Sequence, residues 1–302
     1  VSEFEAKIVE SFGRRVVVEN TSLERKPAAL FGKRLQVVCG DRVKVRSAPQ
    51  SDELQVVELL PRRSLFSRTD TRGNSEPLAA NLTLVAVMMS AAPVCDPFIV
   101  DRYLAGATYA GVRGMIIVNK ADLPFTDDFK NSIEDFTRVG FQVLNISALQ
   151  GAGLESLRTV LANEVTLLVG QSGVGKSTLS NSLVPQSARP TQDLSTASGE
   201  GRHTTVSAAL HHIPSGGDLI DSPGVRDYAP APISEAQVQC GWPEIMRFAP
   251  HCRFNDCLHL REPGCTVQAA VAANDISTRR YESYKRLMNL MRQLVPSWER
   301  PR

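Results

Sequence analysis

Two short stretches hold residues suited to nucleotide chemistry. "GQSGVGKST", Gly170 to Thr178, fits GxxxxGK[ST] with Gly170, Gly175, Lys176 and Ser177 in register. In such a loop the backbone of Gly170, Gln171, Ser172, Gly173, Val174 and Gly175 wraps phosphates. Lys176 neutralises the β- and γ-phosphate charge, and the Ser177 hydroxyl, with Thr178 beside it, can reach magnesium. "NKAD", Asn119, Lys120, Ala121 and Asp122, is the NKxD pattern that reads guanine. Asp122 can accept guanine N1–H and the exocyclic amine as a forked pair, Asn119 can bond the N7/O6 side, and the Lys120 stem can lie over the ring. Adenine has no matching donors on that edge. "NISAL" adds Ser147 and Ala148, whose backbone supports guanine O6. "DLIDSPG" adds Asp221, placed to hold magnesium through water, and Gly224, whose N–H can meet the γ-phosphate. Thr205, or its neighbour Thr204, would complete the magnesium shell, and the sequence leaves the two open.

The order of these parts is unusual, because NKAD precedes the phosphate loop by 51 residues. A cut of the usual fold between DxPG and the strand before NKxD, with the old ends joined between "SAL" and the phosphate loop, gives this order and keeps the sheet. The elements needed to position the motifs are legible. Strand-like "LTLVAVMM", "GMIIV", "FQVLNIS" and "EVTLLVG" alternate with helical stretches near "DRYLAGATYAG" and "LESLRTVLA", the signature of a parallel α/β sheet. Each motif then falls at the end of an apolar strand, where such sheets place ligand groups. Polar "RPTQDLSTASGEGRHTT" reads as a switch loop.

Many GTPases carry a glutamine after DxxG to orient the attacking water, and here that position is Val225. Slow intrinsic hydrolysis is expected. His203, beside the switch threonines, is the leading substitute as water-positioning group; a histidine that only orders the loop is the competing reading. The catalytic set is therefore His203, Lys176 and Thr205.

"HCRFNDCLHLREPGC" spaces Cys252, Cys257, His259 and Cys265 as four ligands for a closed tetrahedral zinc site of structural type. His251 competes, although adjacency to Cys252 makes joint chelation awkward. Cys39, Cys95 and Cys240 read as isolated core or surface residues. Beyond the cluster, "RRYESYKRLMNLMRQL" puts Tyr281, Tyr284, Leu287, Met288, Met291 and Leu294 on a helical packing face. Arg279, Arg280, Lys285, Arg286 and Arg292 occupy the remainder, available to RNA phosphate or solvated.

The first seventy residues read as five short strands, "AKIVESF", "RRVVVEN", "KRLQVVCG", "DRVKVRS" and "LQVVELLP", which suit an OB-type barrel. Arg14, Arg15, Lys33, Arg34, Arg62 and Arg63 could contact phosphates; a purely structural barrel is the alternative. Arg68–Pro77 reads as a linker. The expected modules are thus an all-β OB-type barrel (1–70), a circularly permuted α/β P-loop GTPase domain (76–231) and a small, mostly helical zinc-binding domain (232–302). Lys+Arg against Asp+Glu runs 14 to 10 in residues 1–75, 10 to 16 in 76–239 and 10 to 6 in 240–302. Two basic flanks around an acidic middle suggest a polyanion touched by the end modules. The apolar runs are too short to span a bilayer, no secretory signal opens the chain, and six cysteines without a secreted framework fit a cytoplasmic protein. Because the first residue is Val1, a missing N-terminal segment is expected.

Taken together, "NKAD", "GQSGVGKST", "GRHTT", "DSPG", the Cys252/Cys257/His259/Cys265 pattern and the OB-like start resemble, nearly end to end, the RsgA (YjeQ) family of circularly permuted GTPases. The resemblance implies a cytoplasmic, monomeric GTPase, using magnesium with GTP and one structural zinc, that binds the small ribosomal subunit and its rRNA late in maturation. It implies hydrolysis stimulated by that subunit. The chain leaving DSPG runs through "VRDYAPAPIS" toward the zinc module, which offers a covalent route for a nucleotide-dependent change. Two other classes remain open at this point: a GTP-ordered RNA-binding scaffold without turnover, and an ATP-dependent kinase with a coincidental NKAD.

Overall fold

The computed structural model describes residues 3–32, 35–48, 53–184, 208–221 and 228–294. Five strands open the chain: β1 (Glu3–Phe12), β2 (Arg15–Glu19), β3 (Arg25–Leu30), β4 (Arg42–Ser47) and β5 (Leu54–Leu59). β1 pairs with β2 and β4, β2 with β3, and β5 with both β3 and β4, so the five close into a barrel. Alternate residues such as Ala6, Ile8, Val16, Val18, Val43 and Val45 fill it, as the period of two requires.

The third strand is "RKPAAL", not the expected "KRLQVVCG". A proline inside a run argues against a strand, but Pro27 lies opposite Val17 of β2 and just outside the pairing with β5, which starts at Ala28. A residue without an N–H is tolerated where one flank is open. The apolar residues Val37 and Cys39 are buried from a loop instead.

The expected linker is also structured, as a hairpin of β6 (Leu65–Thr69) and β7 (Ser75–Ala80). Its turn is made by the Asp70 carboxylate, which accepts from the N–H groups of Arg72 and Asn74 at 2.8 and 2.7 Å. The hairpin grips the chain beyond DSPG. Thr69 N–H donates to Ala229 O at 2.9 Å, and its hydroxyl donates to Pro230 O at 2.5 Å. Tyr228 is fully buried between the rings of Phe66 and Tyr103, with centroids 5.3 and 4.2 Å away.

The central domain runs β8 (Leu84–Ser90), α1 (Pro97–Tyr109), β9 (Arg113–Asn119), α2 (Asp127–Arg138), β10 (Gln142–Asn145), α3 (Leu154–Leu161), β11 (Val165–Gly170), α4 (Lys176–Leu183), β12 (Ala209–His212) and β13 (Asp218–Asp221). Its strands lie in the order β10-β9-β8-β11-β13-β12, all parallel except β12. Counted from the phosphate-loop strand, β11, β12, β13, β8, β9 and β10 become one to six, in the spatial order 6-5-4-1-3-2. The permutation has moved the chain ends and left the sheet intact. Every residue of β8 is buried: Val85, Val87 and Met89 pack with α1 and α2 on one face, and Leu84, Ala86 and Met88 with α3 and α4 on the other. A strand covered on both faces reads as a continuous apolar run.

The barrel joins this sheet through β1 and β12, with Glu10 opposite Ala209. A bulge between Ile8 and Glu10 lets Ile8 face the barrel core while Val9 packs with Cys39 and Leu210 in the central core. Ionic groups reinforce the junction. Lys7 lies 2.8 Å from Asp218, and the two ring nitrogens of His212 lie 2.6 Å from Asp218 and 2.8 Å from Glu19.

Four α-helices, with short 3-10 turns at Gln239–Gly241 and Ala249–His251, complete the described chain: α5 (Glu235–Val238), α6 (Pro243–Phe248), α7 (Thr266–Ala272) and α8 (Thr278–Leu294). Val238, Trp242, Ile245, Tyr284, Leu287, Met288 and Met291 form their core together with Ala105 of α1. The arginines of α8 are neither solvated nor open to RNA at its start. Arg280 is 1% exposed, bonded through Nε and Nη2 to Glu244 (2.6 and 2.9 Å) and through Nη1 to Asp101 (2.5 Å). Arg279 bonds Asp101 at 2.8 Å and Asp135 at 2.9 Å. These residues dock the C-terminal helices onto α1 and α2. No helix among the described residues is long and apolar enough to cross a membrane.

Candidate nucleotide site and metal centre

β11 delivers Gly170 and the turn into α4. Two glycines are sterically required there: a Cβ at Gly170 would sit 2.4 Å from Met88 O, and one at Gly175 would sit 2.3 Å from the Asn119 amide nitrogen. Lys176, nearly buried, donates to Gly170 O and Gln171 O, each at 2.8 Å. Burial pushes its ammonium below the usual lysine range, and the Asp221 carboxylate opposes that shift. A desolvated cation at a helix start is suited to polyphosphate. Ser172 and Gly173 are exposed on the loop, Ser177 and Thr178 are exposed in the first turn of α4, and Val174 is buried.

β9 ends on Asn119, which joins three loops. Its amide nitrogen donates to Val174 O of the phosphate loop at 2.8 Å, and its oxygen accepts from Ala148 N–H at 3.0 Å. Lys120 takes a left-handed φ of +60°, and its ammonium donates to Gly173 O at 3.0 Å and to Ala92 O. Strained backbone of this kind is held in place by its surroundings at ligand sites. Ala121 N–H donates to Ile146 O at 2.9 Å, and Ser147 N–H to Ala152 O at 3.0 Å. The N–H groups of Ser147 and Ala148 are thus both engaged within the protein. Asp122 is exposed at the rim. The structure therefore ties Asn119 and Lys120 to the phosphate loop at Gly173 and Val174 and to Ala148, with Lys176 folded back on the same loop and within electrostatic reach of Asp221. His203, Thr204, Thr205 and Gly224 lie outside the described residues, as do Val225, Lys33 and Arg34.

Sequence reasoning missed the brace on the phosphate loop. The Gln171 side-chain oxygen accepts from Asp96 N–H at 2.8 Å, and Asp96 caps α1 by accepting from Phe98 N–H at 2.9 Å. The only local signal was the Asp-Pro pair before a helical run. Of the proposed phosphate contacts in the barrel, Arg62 is already committed to Asp41 by paired 2.7 Å bonds, with Asp41 fully buried. Arg14 donates to Leu30 O at 2.6 Å.

The second site draws Cys252, Cys257, His259 and Cys265 together, their ligand atoms all within 4.8 Å of one another, so the group could hold a metal ion. Cys252 Sγ lies 3.5 Å, and Cys265 Sγ 3.4 Å, from His259 Nδ1, and the two sulfurs are 3.9 Å apart. Burial pushes the Cys257 thiol up to about 12. Burial also lowers His259 below its usual value, favouring the neutral imidazole that a ligand must be. His251 is exposed and outside the cluster. Cys265 caps α7, and Tyr281 and Tyr284 of α8 donate to the carbonyls of His259 and Leu258 at 2.5 and 2.7 Å.

Fold and site define a P-loop nucleotide-binding protein with a circularly permuted α/β domain. The sequence profile of the RsgA GTPase family matches residues 59–230. "Small ribosomal subunit biogenesis GTPase RsgA" of Azotobacter vinelandii is 40% identical over 255 residues, 83% of this chain and 74% of that one. The protein of the same description from Chromohalobacter salexigens is 36% identical over 289 residues, 94% and 85% of the two chains. The crystal structure of YjeQ from Thermotoga maritima superposes with a TM-score of 0.74 at 26% identity, over 96% of this chain and 99% of that one. The structure of YloQ, described as a circularly permuted GTPase, shares the fold with a TM-score of 0.71, over 98% and 97%. The chain belongs to the RsgA GTPase family, and with it to the GTP-hydrolysing enzymes. This sets aside both the ATP-dependent kinase and the scaffold without turnover.

Proposed function

We propose that this GTPase binds the small ribosomal subunit and its rRNA and acts late in subunit maturation in the cytoplasm, working as a monomer. Hydrolysis is stimulated by the subunit and drives release. One observation carries the nucleotide reading: the Asn119 amide ties the NKAD, Ser147–Ala148 and phosphate loops together across 29 and 55 residues of chain. In this reading the braced loops form a guanine pocket beside a phosphate cradle. Asp122 takes guanine N1–H and the amine, Lys120 covers the ring, Ala121 shapes the turn, and Ser147–Ala148 form the wall at the O6 edge. Lys176 and the loop from Gly170 to Thr178 hold the phosphates, with Gly224 at the γ-phosphate. Magnesium belongs to Ser177, Asp221 and Thr205 or Thr204. His203 positions the water, in place of the glutamine that Val225 replaces.

The metal is zinc in this reading. Bonds of about 2.3 Å to sulfur and about 2.0–2.1 Å to nitrogen give tetrahedral edges of about 3.8 Å between sulfurs and about 3.6 Å between sulfur and nitrogen. The spacings of 3.9, 3.5 and 3.4 Å fit that figure. With four protein ligands filling the tetrahedron, the ion is structural. Residues 1–70 and 232–302 serve as the basic binding modules on either side of a 76–231 GTPase domain. GTP favours the subunit-bound arrangement and GDP favours release. The route between them is not free chain, since Tyr228–Pro230 are anchored on the β6–β7 hairpin; a nucleotide-dependent change would act on that hairpin as well as on the zinc module. Subunit affinity measured with a GTP analogue and with GDP tests this reading: a clear preference for the analogue is expected, and equal affinities would remove the release step, because a ligand without differential affinity shifts no equilibrium.

A further inference from the structure

His259 reaches the metal cluster through Nδ1, so its other nitrogen needs a partner that fixes the tautomer. That partner comes from outside the Cys/His loop. His259 Nε2 lies 2.9 Å from the Gln239 side-chain oxygen. The orientation of the Gln239 amide is itself determined, because its nitrogen donates to Ala236 O at 3.1 Å. The oxygen facing the imidazole can only accept, so Nε2 carries the proton and Nδ1 presents its lone pair to the three sulfurs.

Gln239 is in turn placed by the nucleotide domain. It follows α5 directly, and Val238 O accepts from the Tyr109 hydroxyl of α1 at 2.7 Å. Two residues on, Gly241 packs so closely on α1 that a Cβ would lie 2.6 Å from the Ala105 Cβ and 2.7 Å from the Tyr109 oxygen. Residues 238–241 therefore have one position along α1, and α1 begins at Asp96, bonded to Gln171 of the phosphate loop. We propose that Gln239 is the positioning residue of the metal centre and that helix α1 of the GTPase domain sets its register. Metal retention then reports the docking of the C-terminal helices on the GTPase domain, rather than the Cys/His loop alone. This rests on the zinc reading of the cluster.

Partners of metal-bound histidines tune affinity about 10–100-fold when removed. The test uses the full chain loaded with zinc, with release into excess chelator followed by a colorimetric indicator. Gln239→Ala should release zinc about 10–100-fold faster than wild type, and Gln239→Glu, which keeps an acceptor, should restore most of the retention. Tyr109→Phe, which touches neither the cluster nor the nucleotide pocket, should accelerate release in the same direction by a smaller factor. With cobalt in place of zinc, Gln239→Ala should shift the visible ligand-field band, a change that loss of general stability would not produce. Wild-type release from Gln239→Ala with an unshifted cobalt spectrum would overturn the proposal. A wild-type chain that takes up no zinc or cobalt would remove the metal reading itself, and the proposal with it.

Discussion

Arg280→Met is the perturbation whose cost follows most directly from the structure. Arg280 is 1% exposed and sits between two carboxylates that are themselves buried, Asp101 at 1% and Glu244 at 8%. Methionine matches much of the side-chain length but leaves Glu244 without its paired bonds of 2.6 and 2.9 Å, while Asp101 loses Arg280 and, among the described residues, keeps its bond to Arg279 at 2.8 Å. Removing one member of a buried ionic group typically costs about 3–5 kcal/mol, mostly as the desolvation of the stranded partner. For a cooperative unit of about 150–250 residues each kcal/mol moves Tm by roughly 2–4 °C, so a loss of roughly 6–20 °C is expected. Calorimetry measures the shift, and limited proteolysis should locate new cleavage between the GTPase domain and α8. Arg280→Lys should rescue little, because a single ammonium cannot reproduce the forked bonds. The variant Asp101→Asn/Glu244→Gln/Arg280→Met, which removes the stranded charges as well, should recover part of the loss. A single variant within 1 °C of wild type, taken as roughly the smallest resolvable change, or a triple variant less stable than the single, would refute the reasoning.

Three further outcomes are expected. Asp122→Asn should weaken GTP binding by at least roughly 100-fold, because guanine donors would face an amide in place of a carboxylate, while leaving xanthosine triphosphate usable; fluorescent-nucleotide titration measures both. Gly106→Ala should lower Tm despite the better helix propensity of alanine, since the new Cβ would lie 2.2 Å from the Tyr228 hydroxyl oxygen; overpacking of this kind costs about 1–3 kcal/mol, and adding Tyr228→Phe should relieve part of it. His203→Ala should leave nucleotide affinity largely intact and reduce subunit-stimulated turnover, and unchanged stimulated turnover would take His203 off the catalytic list.

What could be read in the sequence was whatever depends on local pattern. The unbroken apolar run of β8 was legible as a strand, and NKAD placed after "GMIIV" pointed to the permuted sheet; that β8 is covered on both faces emerged only with the helices in place. The four metal ligands were legible because their spacing and chemistry are local. What escaped reading depends on neighbours far along the chain. Pro27 disguised β3, because its open flank is visible only once β5 is placed beside it. The β6–β7 hairpin hid in polar sequence, since its purpose is to hold Ala229 and Pro230, some 160 residues away. Arg279 and Arg280 read as surface charge because Asp101 and Asp135 lie on helices distant in sequence. Gln239 carried no signal, being an unremarkable polar residue until His259 is folded against it.

In the proposed function the small ribosomal subunit switches this GTPase on. Steady-state GTP turnover of the full chain, measured alone and with purified small subunits, tests it most directly. Slow turnover alone and strong stimulation by small subunits, with no comparable effect from large subunits, is the predicted result. The same rate with and without small subunits would contradict it.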